Sequence, residues 1–220
     1  MKRSIFYTAQ YHRIEKKIVE VINEQPSFLN ARTEGSTRAA GDAIQDLLSE
    51  KFPDILGDIC CSYDKNFARR AMADLAFTDK DGLYYRVDVK THRLDTAFNM
   101  PNLTSVERIA RFYEDGKNYF VILMVQYAIQ RTKVKANKVH FIPIEFLNWN
   151  CLTVGALGWG QIQIANANTI NINDGYSRKK WMLKLCDVMM EFYPREIEKI
   201  KERTDYFKRL KEHWQSKEDD

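Results

Sequence analysis

A strongly apolar segment from Tyr119 to Ile129 constrains the fold of this chain more than any other part of its sequence. The segment is rich in β-branched residues, and such a run is typical of a strand that is buried on both faces of a sheet. The sheet must then be covered on both sides. A bilayer span needs roughly 20 consecutive apolar residues, so we expect no membrane-spanning segment and no membrane partner.

Helical periodicity predicts several helices around this strand. Apolar residues recur at helical spacing from Arg13 to Asn23, from Thr37 to Lys51 and from Leu103 to Tyr113. Phe52-Pro53 should end the second of these helices, and Pro194 should begin a new helix at its favoured first position. The last helix carries an apolar stripe that needs cover, either from the sheet or from a second subunit: Ile197, Ile200, Thr204, Phe207, Leu210 and Trp214.

Short β-prone segments predict the other strands. They are Ile59 to Tyr63, Met72 to Phe77, Leu83 to Thr91 and Val139 to Ile144. The second and third flank a turn that ends in Asp81-Gly82, which is a strong hairpin signal. The order of the elements predicts an α/β protein with a mixed central β-sheet flanked by helices.

The amino-acid composition excludes few classes of function. Of the 220 residues, 45% are hydrophobic, which indicates a folded globular protein, and the net charge of +4 permits a polyanionic partner without requiring one. The four cysteines form no CxxC pair, so we expect no structural zinc. The residues after Met1 lack the apolar core of a signal peptide, so we expect a cytoplasmic protein.

The segment from Arg86 to Thr91 carries the first chemical signal. Alternate residues of a strand share a face, so Asp88 and Lys90 point to one side while the valines between them point to the core. Asp74 lies on the other arm of the predicted hairpin, where pairing can bring its carboxylate beside that of Asp88. Two converging carboxylates suit Mg²⁺, and a neighbouring ammonium can stabilise charge at a phosphodiester. The alternative is a surface hairpin with an ordinary Asp-Lys pair on its wet face.

Asp74 together with Asp88-Val89-Lys90 resembles the PD-(D/E)xK signature of type II restriction endonucleases, with Ala73 where that signature has a proline. Further segments in the same order resemble the HincII-like group of these enzymes. They are Ala39 to Asp42 at a helix start, Met100 to Ser105 after the lysine, and Gln161 to Gln163 before the helix start at Arg178 to Trp181.

This resemblance implies a restriction-endonuclease-like fold, double-stranded DNA as the partner and Mg²⁺ as the cofactor. It implies that Asp74 and Asp88 bind the metal together with the backbone carbonyl of Val89. Lys90 is then the catalytic lysine.

The same resemblance implies an accessory acidic residue on the preceding helix. Asp42 and Asp46 are the acidic candidates, while Gln45 stands at a position where a glutamate is expected. The alternative for Asp42 is an acid near a helix N-terminus, stabilised by the helix dipole.

Two segments near the predicted site are candidates for DNA contact. Ser36, Thr37 and Arg38 lie at a helix N-terminus and suit phosphate contacts, although helix capping by either hydroxyl is the alternative. A second set of candidates follows the catalytic lysine: Thr91, His92, Arg93, Phe98 and Asn99. Phe98 could wedge against a base step, or it could pack under the next helix, and Asn99 could contact a base edge.

An amide-rich segment with alternating polarity is the predicted readout region. It contains Gln161, Gln163, Asn166 and Asn168. Glutamine and asparagine side chains can bind adenine with two hydrogen bonds, and each such contact contributes about 1 to 3 kcal/mol of discrimination. The alternative is a solvated edge hairpin.

The resemblance implies a type II restriction endonuclease that binds a short palindromic duplex as a homodimer, whose two-fold symmetry would match that of the site. Residues 1–220 would form a single nuclease domain, with the catalytic core at about 35–145 and the DNA-recognition and C-terminal helical part at about 146–214. Two alternatives stay open. One is a repair or recombination nuclease of the same fold, and the other is a non-catalytic DNA-binding module.

Overall fold

Two β-sheets occupy the part of the chain that the structure, a computed structural model, describes: residues 4–30, 32–33, 35–67 and 72–218. The strands are β1 (Cys60–Asp64), β2 (Leu75–Asp79), β3 (Tyr84–Arg93), β4 (Asn102–Ser105), β5 (Asn118–Gln130), β6 (Lys133–Pro143), β7 (Leu152–Gly155) and β8 (Gln161–Ile164). The larger sheet has the order β1-β2-β3-β5-β6, and the smaller sheet has the order β4-β8-β7.

The larger sheet is mixed, as predicted. Strands β3 and β5 are parallel, whereas its other neighbours are antiparallel. Strand β5 lies between β3 and β6, and Phe120, Val121, Leu123 and Val125 in it have no exposed surface. The prediction of a strand buried within a sheet is therefore confirmed for this segment.

The part of the chain that the structure describes contains four α-helices. They are α1 (Gln10–Asn23) and α2 (Thr37–Leu56), followed later in the chain by α3 (Val106–Phe112) and α4 (Arg178–Gln215). Helix α1 packs against β6 and helix α2 against β3. The buried residues of α1 lie at helical spacing, at Tyr11, Ile14, Ile18 and Ile22, so its burial follows from the sequence pattern. The predicted α/β architecture with flanking helices is confirmed.

The β2–β3 hairpin is fixed by the buried side chain of Asp79. One carboxylate oxygen, Oδ1, accepts hydrogen bonds from the backbone amides of Asp81 and Leu83, each at 2.9 Å. The other oxygen accepts the hydroxyl of Tyr85 at 2.7 Å. Gly82 takes a φ of 74°, which favours glycine. The turn therefore has one defined register, and that register sets which residues of the two strands face each other.

Helix α2 approaches β3 closely at Gly41. A Cβ at Gly41 would lie 2.9 Å from Oγ1 of Thr91, closer than side chains tolerate. Further along the helix, Ile44, Leu48 and Phe52 have no exposed surface. The small residue and the apolar stripe together hold α2 tightly against the strand that carries Asp88 and Lys90.

Helix α2 does not end at Phe52-Pro53 as predicted but continues to Leu56. A proline inside a helix cannot donate its backbone hydrogen bond, which leaves the carbonyl four residues earlier without its usual partner. That carbonyl belongs to Ser49, and the hydroxyl of Tyr63 donates to it at 2.6 Å. A tertiary contact thus replaces the missing bond and lets the helix continue.

Helix α4 likewise contains Pro194 in its interior, so the prediction of a new helix starting there was wrong. The side chain of Arg195 donates from Nε to the carbonyl of Glu191 at 3.0 Å. The carbonyl that loses its helical donor to the proline is that of Met190, four residues earlier, so this bond adds a contact next to the break.

The segment predicted as a helix from Leu103 to Tyr113 begins as a strand. Residues up to Ser105 pair with β8, and only the part from Val106 onward is helical. The side chain of Ser105 accepts the backbone amide of Arg108 at 3.2 Å, and this cap sets the helix start.

The chain divides into two compact units. The first ends at Gly175 and contains both sheets, and the second begins at Tyr176 and contains α4. Among the described residues, no helix combines the length and the apolar character that crossing a bilayer requires.

Candidate active site

Asp88 and Lys90 lie on one face of β3, as their spacing predicts. The ammonium of Lys90 donates to Oδ1 of Asp88 at 2.7 Å. The side chain of Asp88 is only 8% exposed, and that of Lys90 is 25% exposed. The surface-hairpin alternative requires a solvated pair, and a carboxylate buried this deeply does not fit it.

Asp74 lies immediately before β2, and its backbone joins it to β3. Its amide donates to the carbonyl of Val87 at 2.9 Å. Its side-chain Oδ2 accepts the amide of Val89 at 2.7 Å. The hairpin thus holds the carboxylate of Asp74 next to the strand segment that carries Asp88.

The electrostatics of the site are dominated by the burial of Asp88. Burial raises the pKa of its carboxyl to about 7, although the charge and hydrogen bond of Lys90 pull that pKa down. The negative charge of Asp74 raises the pKa further. A nearby cation would lower the pKa of Asp88 again, because a positive charge favours the ionised form of both carboxylates.

The oxygens of this pair fit a magnesium ion. Among the described residues, Oδ2 of Asp88 is buried and has no hydrogen-bond donor. The described residues contain no group of three or more His, Cys, Asp or Glu side chains that could hold a metal. Mg²⁺ does not need one, because it is commonly bound through one or two carboxylates and keeps water or phosphate oxygens as its other ligands. Asp74, Asp88 and the carbonyl of Val89 are the groups that would hold it.

Gln45 is the helix residue that reaches the site. Its Nε2 donates to Oδ1 of Asp74 at 2.9 Å. It lies one turn after Gly41 on the same side of α2, so the close approach of that helix positions it. Asp42 is exposed instead, and its carboxylate lies 3.9 Å from Nε of Arg38. Asp46 is also exposed.

The residues predicted to contact DNA at the start of α2 divide into a cap and two exposed residues. Ser36 is the N-cap, and its side chain accepts the amide of Ala39 at 3.2 Å. Thr37 and Arg38 are exposed. The capping alternative therefore holds for Ser36, while Arg38 remains open to solvent.

His92 and Asn168 bind each other rather than facing solvent together. His92 is buried, and its Nε2 lies 2.8 Å from Oδ1 of Asn168. The amide nitrogen of Asn168 donates to the carbonyls of Thr96 and Ala97, each at 3.2 Å. Asn168 therefore joins the end of β3 to the loop that follows it.

Arg93 and Thr91 are also engaged within the protein. Arg93 donates to the carbonyl of Gly35 at 2.9 Å and to the carboxylate of Asp95 at 2.6 Å. Thr91 is half-buried and faces Gly41. Arg93 therefore ties β3 to the segment before α2, and Thr91 lies against α2 itself.

Phe98 is the most exposed of the residues predicted after the catalytic strand, at 60% of its surface. This exposure argues against packing under the next helix, which was the alternative. Asn99 is half-buried, and its carbonyl accepts the amide of Ala167 at 2.8 Å. Its backbone is held while Phe98 projects from the same loop.

The predicted readout residues lie on and after β8. Gln161 and Gln163 share one half-buried face of this strand, while Ile162 on the other face has no exposed surface. Gln163 donates to the side chain of Asn102 on β4. Asn166 caps a turn instead, because its side chain accepts the amide of residue 168 at 3.0 Å.

Three arginines that the sequence reasoning did not single out line one pocket. Arg86, Arg108 and Arg111 surround an open pocket of about 510 Å³ together with Phe112. Arg86 lies two residues before Asp88 on the same face of β3, so the pocket is a neighbour of the carboxylates. The signal in the sequence is this i, i+2 spacing together with two arginines three residues apart on α3.

No protein-family model matches the chain, and no curated protein is significantly similar to it in sequence.

Proposed function

We propose that this protein is a Mg²⁺-dependent nuclease that hydrolyses phosphodiester bonds of double-stranded DNA, of the type II restriction class. The arrangement of Asp74, Asp88 and Lys90 carries this proposal. A buried carboxylate with one oxygen lacking a donor, beside a second carboxylate and an ammonium, is costly to maintain without a ligand. The mixed sheet, in which the β2–β3 hairpin provides the middle strand, supports a restriction-endonuclease-like fold, and the cytoplasm is where such an enzyme would meet DNA.

The chain's own groups have separate roles in this proposal. Bound Mg²⁺ would polarise the phosphate and favour hydroxide over water. Lys90 would hold and orient the attacking water and stabilise the negative charge that develops at the phosphate. The water oxygen bonds to phosphorus and gives a proton to solvent, the bond from phosphorus to the leaving oxygen breaks, and the leaving oxygen takes up a proton from solvent. Gln45 would keep the carboxylate of Asp74 in position.

DNA would be held mainly through its phosphates. The arginine pocket begins about 7 Å along β3 from Asp88, which suits a contact with a phosphate next to the scissile one. Exposed Arg38 offers a second contact. Gln161 and Gln163 stay our candidates for base contacts, and Phe98 for a wedge between base pairs.

Incubation of a defined plasmid with the protein and Mg²⁺ tests the function. We expect a small number of discrete fragments whose sequenced ends share one short palindrome, with EDTA abolishing the reaction. A continuous smear, or cutting only at mismatches or branched DNA, would instead support a repair nuclease. Binding without any nicking would show that the chain is a non-catalytic DNA-binding module.

The arginine pocket has its own expected effect on binding. We expect Arg108→Ala to weaken DNA binding about equally for all sequences, and to lower the slope of log K against log salt by about 1, because one phosphate contact is lost. Binding should be measured in EDTA at several salt concentrations. Arg13→Ala is the matched control, since Arg13 is exposed on α1 and outside the pocket. An unchanged slope for Arg108→Ala would remove the pocket from the DNA interface.

A further inference from the structure

Helix α4 loses its buried face about a third of the way along its length. Its buried residues are Trp181, Leu185 and Met189, all in its first third. Of the described helix residues from Met190 to Gln215, none is buried. A helix of this length that buries nothing is marginally stable in water unless another surface covers it.

The exposed part of α4 nevertheless has a regular apolar pattern. Large apolar side chains with 40 to 67% of their surface exposed recur at alternating intervals of three and four residues. We call this set the heptad seam: Met190, Tyr193, Ile197, Ile200, Phe207 and Trp214. Thr204 and Lys211 occupy the two remaining positions of the repeat.

A repeat of 3.5 residues is the pattern of a helix that pairs with another helix along its length. A contiguous exposed apolar stripe of this kind indicates an interaction site. We propose that α4 of one protein molecule pairs with α4 of a second copy of the same chain, antiparallel, through the heptad seam. The inference concerns α4 alone and does not depend on the proposed DNA cleavage.

The charges along α4 favour the antiparallel orientation. In a parallel pair, Lys211 would face Lys211 of the second copy inside the seam, and Arg203 would flank Lys208. Both contacts bring like charges together. The same parallel pairing would bring Glu196 beside Lys201, so the contact that disfavours it most is the lysine pair inside the seam, whereas the antiparallel register places Glu196 beside Arg203 of the second copy.

An antiparallel pair in which Ile197 of one copy meets Ile200 of the other has no such conflict. In this register Lys211 faces Cys186, and Asp187 flanks Lys208 of the second copy. Two Asp-Lys contacts form by symmetry. The helix dipoles also oppose each other favourably in this orientation.

The packing layers in this register are also complementary. Met190 faces Phe207, Leu183 faces Trp214, and the large Tyr193 faces the smaller Thr204, so each of these apolar side chains meets a side chain of the second copy. The pairing extends from Leu183 to Trp214, which corresponds to about 45 Å of helix. Every exposed apolar side chain of the seam gains a partner.

Sedimentation equilibrium of the full chain tests the pairing. We expect a dimer at micromolar concentrations, and we expect Ile197→Glu with Ile200→Glu to raise the dimer dissociation constant at least about a hundredfold, because the central layers would then bury carboxylates. Leu157→Glu is the matched control, since Leu157 is 69% exposed outside α4. A wild-type chain that is monomeric, or a double variant with an unchanged dissociation constant, would overturn the proposal. Circular dichroism checks that each variant is folded.

The orientation has a separate test. Under oxidising conditions Lys211→Cys should form an intermolecular disulfide with the exposed Cys186 of the second copy, which peptide mapping identifies. A parallel pair would instead link Cys186 of one copy to Cys186 of the other. It could also link the introduced thiol of one copy to the same introduced thiol of the other. Either of these products would reject the antiparallel register.

Discussion

We expect Lys90→Ala to lower the rate of DNA cleavage at least about a hundredfold, while the affinity for duplex DNA in EDTA changes by less than about tenfold. The ammonium lies 2.7 Å from Asp88, where the attacking water and the phosphate would meet. In the proposed reaction its charge is therefore needed as the transition state forms, whereas for binding it would be one of several cationic groups that hold DNA. Single-turnover cleavage and a binding titration measure the two effects separately.

Lys80→Ala is the matched control for this experiment. Lys80 lies at the tip of the same hairpin and is exposed, so its loss should leave both cleavage and binding near wild type. Full cleavage by Lys90→Ala would remove that residue from the catalytic centre. Equal loss of cleavage in both lysine variants would point to a damaged hairpin rather than to lost chemistry.

The second large effect concerns stability, pH and magnesium, and it follows from the burial of Asp88. The pKa of this carboxyl is about 7 in the folded protein, against an ordinary value of 3.8. Between these values the folded state holds more protons than the unfolded chain, so stability falls as pH rises from about 4 to about 7. Each pKa unit corresponds to about 1.4 kcal/mol, so the total is on the order of a few kcal/mol and several degrees in Tm.

Mg²⁺ should reverse this loss, since it binds the ionised carboxylates. We expect Mg²⁺ to raise Tm more at pH 8 than at pH 5, where protons compete for Asp88. Thermal unfolding with and without Mg²⁺ at both pH values measures the effect. In Asp88→Asn, both the fall in stability with pH and the magnesium shift should shrink markedly.

Asp46→Asn provides the comparison, because Asp46 is an exposed carboxylate on α2 away from the cluster. It should retain the wild-type dependence on pH and Mg²⁺. If Asp88→Asn behaves like Asp46→Asn, the buried carboxyl does not control stability and is not a metal ligand.

The sequence predicted the parts of the fold that local pattern determines. The apolar run at Tyr119 to Ile129 became an interior strand, and the Asp81-Gly82 signal marked the hairpin. The predictions were wrong where a residue far away in the sequence determines the local structure. Pro53 failed to end α2 because Tyr63, ten residues later, supplies the missing hydrogen bond. No local pattern contains that information.

In the candidate site too, local pattern predicted some features, while contacts between distant residues could not be predicted. Strand alternation and hairpin pairing were enough to bring Asp74, Asp88 and Lys90 together, and the helix position of Gln45 proved to adjoin them. The sequence did not predict which polar side chains form hydrogen bonds to other residues of the protein. The bond between His92 and Asn168 joins residues 76 positions apart, so only the folded structure shows that these two groups are engaged.

The bond between His92 and Asn168 also connects β3 to the loop that carries Phe98. His92 lies two residues after Lys90 on the same face of β3, and Asn168 clamps the loop carrying Phe98 by two backbone carbonyls. We therefore expect Asn168→Ala to increase hydrogen exchange both in the loop that carries Phe98 and at the end of β3 next to Lys90, because the same side chain bonds to both.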